Sequence, residues 1–175
     1  MNLPNVLSLF RLFFTALFIL LAAYGRYRLA LALFVLQALS DLLDGFLARR
    51  MGSKTNLGSY LDPLADKVML AASYLVLCYQ AIIPLWLVVM VLVRDLVISF
   101  GFLILLRRGL RTVPVPSFVS KTTTVFQMLT IVYVLWSADR RLCWFFFDAT
   151  AVFTAVSGLQ YIFVGGTVLF RKEVV

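Results

Sequence analysis

The chain has no histidine and only two cysteines among its 175 residues. Metal sites built on imidazole are therefore excluded, and Cys78 and Cys143 show neither metal-ligand nor redox spacing. Both cysteines fall in short segments expected on one outer side, where unpaired apolar fillers are favoured over a disulfide. Charge is also scarce. With 14% charged and 63% hydrophobic residues, and a mean hydropathy of +1.00, too few polar side chains exist to cover a water-facing surface, which excludes an ordinary soluble domain. No internal repeat or low-complexity tract is evident. The first apolar run follows almost directly on MNLPN, with no Arg-rich, Ser-rich leader and no small-residue cleavage site, so neither a transit peptide nor a cleaved signal is expected. The net charge of +8 comes from basic residues scattered over helix ends without interleaved aromatics, a pattern that suits anionic lipid headgroups and argues against nucleic acid.

What remains is an all-α integral membrane protein. A span needs about 20 mainly apolar residues, so this length holds roughly six transmembrane helices and a single domain over 1–175. The apolar runs predict spans at about 6–24, 29–50, 59–80, 84–106, 117–136 and 145–170. Punctuation falls between them: Gly25 with Arg26, the polar loop Met51–Asn56, Ile83 before Pro84, the Arg107–Pro116 segment with its prolines, and Ser137–Arg141. Lys and Arg then set the orientation. Arg49, Arg50, Lys54, Arg107, Arg108, Arg111, Arg171 and Lys172 on one side, against Arg26, Arg28, Arg140 and Arg141 on the other, give eight to four. Both termini and the loop after the second span are thus expected in the cytoplasm of a bacterial inner membrane.

Against this apolar background, half of the eight acidic residues lie in one stretch, DLLDGFLARRMGSKTNLGSYLDPLAD, from Asp41 to Asp66. Asp41, Asp44 and Ala48 stand at i, i+3 and i+7 and share a helical face, with Arg49 beside it; Asp62 and Asp66, at i and i+4, share a face of the next span. The polar loop makes these helices antiparallel neighbours, so four carboxylates are expected to converge inside the helix ends. Unneutralised, they would repel one another and be costly to desolvate. Divalent cations are the favoured remedy. A donor set of hard oxygens selects Mg²⁺ or Mn²⁺, with Ca²⁺ as a further option, over zinc. Two ions about 3.5–4 Å apart would clamp a diphosphate. Gly45 and Gly58 allow close approach of backbone or nucleotide, and Arg49 can grip phosphate oxygens in a bidentate way. The bland alternative is a set of ion pairs that merely tie helices together.

Read as D-x2-D-G-x2-A-R-x8-G-x3-D-x3-D, the segment matches at Asp41, Asp44, Gly45, Ala48, Arg49, Gly58, Asp62 and Asp66, and so resembles the signature of the CDP-alcohol phosphatidyltransferases. The resemblance implies a helical bundle of that family's kind and the family's reaction, transfer of a phosphatidyl group from CDP-diacylglycerol to an alcohol with release of CMP. It implies that Asp41, Asp44, Asp62 and Asp66 hold two metals, that Gly45, Ala48, Arg49 and Gly58 help hold the CDP moiety, that Asp66 is the general base, and that the protein is a homodimer. The N-terminal NLPNVLSLFR resembles the family's entry into its first span, where Asn5 and Ser8 approach the nucleotide.

Other charges inside or near the ends of spans are Arg11, Arg94, Asp95 and Lys121. For Arg11 and Lys121, snorkelling stands level with phosphate contact. Arg94, well inside its span, is a candidate for the acceptor's phosphate, as is Lys121. Asp95, adjacent in the helix, is expected to need a partner other than Arg94. The segments NLPNVLSLFR, LVRDL and PSFVSKTTTVFQ resemble the eukaryotic-type cardiolipin synthases, which use phosphatidylglycerol; the phosphatidylglycerophosphate synthases, which use glycerol 3-phosphate, are the alternative. Members of that second branch commonly carry a Glu after the equivalent of Arg94 and a second Arg about two turns on, where this chain has Asp95 and Phe102. A small dianion wants several cationic donors, so phosphatidylglycerol is the preferred acceptor. A divalent-cation transporter is a remote alternative, opposed by the apolar outer halves at Leu29–Leu36 and Val68–Leu77.

Overall fold

The structure is a computed structural model. It describes residues 3–51, 58–107, 118–137 and 140–170 in backbone, and within these the side chains of 10–40, 66–101, 118–137 and 141–164. The described residues form helices α1 (Leu3–Ala23), α2 (Tyr27–Met51), α3 (Gly58–Tyr79), α4 (Leu85–Arg107), α5 (Phe118–Trp136) and α6 (Arg140–Phe170). Each corresponds to one of the apolar runs. α6 departs most from expectation: it starts at Arg140, before the apolar run, since its basic residues continue the helix instead of forming the loop. Phe118–Trp136 and Arg141–Val164 are, among the described residues, long and apolar enough to cross a membrane; the apolar stretches Phe10–Ala23 and Tyr27–Ser40 are shorter.

Contacts divide the chain into two units, Met1–Ile83 with Ile131–Ala138, and Pro84–Thr130 with Asp139–Val175. In the first, α1 packs against both α2 and α3. Phe18, Ala22, Phe34, Leu70, Tyr74 and Leu77 are buried there, with the rings of Phe18 and Phe34 5.8 Å apart. The turn after α1 is a Schellman motif: Arg26 N–H donates to the Leu21 carbonyl at 2.8 Å and Gly25 N–H to that of Ala22 at 3.0 Å, with Gly25 at φ 71°. α3 ends in the same way. Ile82 N–H reaches the Leu77 carbonyl at 3.0 Å and Ala81 N–H that of Cys78 at 2.8 Å, but here the left-handed position is occupied by Ala81, at φ 55°. Gln80 Nε2 then donates to the Ala23 carbonyl at 2.7 Å, tying the ends of α1 and α3 together.

In the second unit, α4 packs against α6. A seam of hydroxyls joins α5 to α6: Thr130 and Thr150 share a hydrogen bond of 2.7 Å, and Thr123 Oγ1 donates to the Phe153 carbonyl at 3.0 Å. The Phe126 and Phe153 rings stack beside it at 4.5 Å. Other hydroxyls bond one turn back, as in Thr15 to the Arg11 carbonyl and Ser73 to that of Met69, both at 2.8 Å, whereas buried Thr154 Oγ1 has no hydrogen-bond partner among the described residues. Both units bury polar side chains among the apolar ones and expose large apolar side chains. Arg11, Gln37, Arg94, Thr123, Thr150 and Ser157 are buried, while Phe13, Leu36, Leu75, Val93, Phe100, Leu159 and Phe163 are exposed. That exposure suits a lipid surround, since a water-facing surface rarely carries so much contiguous apolar area. Both cysteines are half-buried thiols.

Candidate active site

The signature is divided between two helices. Asp41, Asp44, Gly45, Ala48 and Arg49 occupy the second half of α2; Gly58, Asp62 and Asp66 occupy the first half of α3; Asn5 and Ser8 lie in the first turns of α1. The side chains of Asn5, Ser8, Asp41, Asp44, Ala48, Arg49 and Asp62 lie outside the described residues, as do those of Phe102 and the polar loop 52–57. Asp66 is described, and it is not solitary. Arg11 Nη1 lies 2.6 Å from Asp66 Oδ1; the guanidinium side chain is 7% exposed and the carboxylate side chain 32%. Arg11 therefore turns inward to a carboxylate rather than outward to the membrane surface.

The backbone of the same residue serves α2. Gln37 Nε2 donates to the Arg11 carbonyl at 3.0 Å and to Thr15 Oγ1 at 3.3 Å. One residue of α1 thus joins Asp66 of α3 through its guanidinium and Gln37 of α2 through its carbonyl. Sequence reasoning passed over Gln37, although a signal was present: a lone amide in the apolar run ALFVLQALSD, one turn before Asp41 at i and i+4. Beside it, α1 and α2 flank a groove of about 220 Å³ lined by Phe10, Arg11, Phe14, Leu33, Leu36, Gln37 and Ser40.

In the second unit Arg94 is buried and held by protein groups. Its Nε and Nη2 donate to Ser157 Oγ at 3.2 and 2.8 Å, Nη2 also to Ser120 Oγ at 2.6 Å, and Nη1 to Asp95 Oδ1 at 2.7 Å. The last bond corrects the expectation that adjacent helical residues cannot pair. Their Cα–Cβ directions diverge, but the long arginine stem bends back far enough to reach the short carboxylate beside it. The stem passes beside Gly158, where a Cβ would stand 3.7 Å from Arg94 Cγ, an ordinary van der Waals contact. Lys121 is exposed on α5.

The four acids of the signature thus stand on two helices that both pack on α1. The profile of the CDP-alcohol phosphatidyltransferases matches residues 1–164, and the chain belongs to that family. Its members generally use divalent metal ions, and the chain is a phosphatidyltransferase. It is 37% identical to the CDP-diacylglycerol–glycerol-3-phosphate 3-phosphatidyltransferase of Aquifex aeolicus, over 77% of this chain and 75% of that protein. The enzyme of the same name from Sodalis glossinidius is 34% identical over 98% of both chains. The cardiolipin synthase (CMP-forming) of Rattus norvegicus is 32% identical over 91% of this chain and 60% of that protein.

Proposed function

We propose that the chain transfers the phosphatidyl group of CDP-diacylglycerol to a hydroxyl of phosphatidylglycerol, forming cardiolipin and releasing CMP. The observation that carries the reaction is the placement of the signature: Asp41 and Asp44 in α2, Asp62 and Asp66 in α3, both helices packed on α1. Four carboxylates are a hard-oxygen donor set that fits Mg²⁺ or Mn²⁺. Two such ions, held by Asp41, Asp44, Asp62 and Asp66, would supply neutralising charge to the diphosphate. Asn5, Ser8, Gly45, Ala48, Arg49 and Gly58 hold the CDP moiety, with the Arg49 fork on phosphate oxygens. Asp66 takes the acceptor's proton as the hydroxyl oxygen bonds to the lipid-linked phosphorus, and the bond from that phosphorus to CMP breaks with its electron pair on the departing nucleotide. Arg11, 2.6 Å from Asp66 Oδ1, fixes one oxygen of that carboxylate.

The acceptor reading is supported by Phe102, which stands where a second phosphate-gripping arginine would serve a small dianion. It is supported also by Arg94, whose donors are engaged with Ser120, Ser157 and Asp95; gripping an acceptor phosphate would require it to share or leave those partners. Glycerol 3-phosphate is the second reading, favoured by the names of the Aquifex and Sodalis relatives. We further place all six helices across a bacterial inner membrane as one domain, with the signature facing the cytoplasm on the eight-to-four distribution of Lys and Arg, and the protein as a homodimer. Purified protein given CDP-diacylglycerol with Mg²⁺ or Mn²⁺, and offered phosphatidylglycerol, glycerol 3-phosphate, inositol phosphate and serine in parallel, tests the acceptor. Faster use of phosphatidylglycerol supports the reading; faster use of glycerol 3-phosphate replaces it with the second.

A further inference from the structure

Gln37 is 5% exposed and satisfied on one side only. Its Nε2 donates to the Arg11 carbonyl and Thr15 Oγ1, while Oε1, buried, has no hydrogen-bond partner among the described residues. Flipping the amide does not help, because it would set the oxygen against the Arg11 carbonyl, an acceptor facing an acceptor. The side chain is thus fixed with an unused acceptor in the wall of the groove between α1 and α2.

Two properties of that groove define what it would hold. Its Phe10, Phe14, Leu33 and Leu36 walls offer contact to hydrocarbon, and Phe10 and Leu36, both more than half exposed, leave it open along its side. Its cavity of about 220 Å³ is smaller than a site for a whole lipid and takes only a part of one. The unused acceptor, in contrast, calls for a hydroxyl or N–H. Diacyl esters and ionised phosphates present acceptors only, so the lipid portion of the nucleotide donor does not satisfy Gln37. Glycerol 3-phosphate carries hydroxyls but no hydrocarbon for the walls. A lipid with a hydroxylated headgroup has both. The groove also adjoins the chemistry: Arg11, which lines it, holds Asp66, and Ser40 directly precedes Asp41 in α2.

We propose that the groove between α1 and α2 is the acceptor-lipid site, with Gln37 Oε1 accepting a hydrogen bond from a glycerol hydroxyl of phosphatidylglycerol and the apolar walls covering an acyl chain. Gln37 is then a specificity-determining residue. The assignment rests on the phosphatidyltransferase reading with a lipid acceptor.

The test compares wild type, Gln37→Met, Leu36→Trp and Thr15→Val in detergent micelles, each titrated separately with phosphatidylglycerol and with CDP-diacylglycerol. Loss of one neutral hydrogen bond is expected to raise the apparent KM for phosphatidylglycerol about three- to tenfold in Gln37→Met, with the KM for CDP-diacylglycerol unchanged within about twofold. Leu36→Trp fills the groove and should act in the same direction, relieved by short-chain phosphatidylglycerol. Thr15→Val removes a brace of Gln37 but leaves Oε1, and should keep the wild-type value. An unchanged KM for phosphatidylglycerol in Gln37→Met, as for an acceptor satisfied by water alone, overturns the site; so does an equal rise for both lipids, which marks a brace. Should Gln37→Met not fold, phosphatidylglycerol carrying a photoactivatable acyl chain decides with wild-type protein: adducts within 10–14 and 33–40 support the site, and adducts confined elsewhere overturn it. CMP release with glycerol 3-phosphate alone removes the lipid acceptor and this site while the transferase reading stands, whereas no CMP release with any acceptor removes the transferase reading as well.

Discussion

The guanidinium of Arg11 lies 2.6 Å from the carboxylate of Asp66, joining the first helix to the last acid of the signature across 55 positions of sequence. Removing one member of a buried ion pair strands the other. The usual loss is about 3–5 kcal/mol, and it should be smaller here because the Asp66 side chain is 32% exposed. Arg11→Met is therefore expected to lower the melting temperature in detergent and to reduce CMP release, with Arg11→Lys recovering most of the stability but less of the turnover, since lysine keeps the charge and loses the planar fork. Thermal unfolding and CMP release measured on both variants check this; equal activity in Arg11→Met and wild type would separate the pair from function.

Arg94 makes a contrasting prediction. It spans Ser157, Ser120 and Asp95 at once, with distances between 2.6 and 3.2 Å. A lysine ammonium cannot reproduce that fan of donors. Arg94→Lys should consequently lose nearly as much thermal stability as Arg94→Met, unlike the Arg11 pair of variants, and differential unfolding of the two reads it directly.

Ala81 holds the left-handed position of its turn at φ 55°, where glycine would carry no steric cost. The conformation costs an alanine about 1 kcal/mol. Ala81→Gly should raise the melting temperature by about 2–4 °C for a chain of this size. No gain would show that the flexibility glycine adds to the unfolded chain offsets the relief.

The six apolar runs made the helices legible, because each is long enough for several helical turns and is bounded by glycine, proline or polar residues. The face shared by Asp41, Asp44 and Ala48 was legible for the same local reason, a spacing within one helix. Partners were not. Arg11 read equally as a snorkelling residue or a phosphate contact because its carboxylate lies on α3, and Asp95 read as lacking Arg94 because a rule about Cβ directions ignores the length of the arginine stem. Gln37 was visible as a polar residue in an apolar run, but its one-sided hydrogen bonding exists only once α1 packs on α2.

Asp41→Asn and Asp62→Asn should each abolish CMP release while the protein still inserts and purifies, because each removes a proposed ligand of the divalent ions. EDTA should stop wild-type turnover and Mn²⁺ or Mg²⁺ restore it. Turnover within about threefold of wild type in either variant would contradict the assignment of those acids.

The central claim is that the bond between the two phosphates of the donor is the one that breaks. CDP-diacylglycerol labelled in its lipid-linked phosphate, incubated with purified protein, divalent metal and phosphatidylglycerol, follows that phosphorus directly. The label should appear in the phospholipid product in equal amount to CMP released, and neither should form with Asp41→Asn. Label recovered in water-soluble CDP, or CMP release no greater than that of Asp41→Asn, would contradict it.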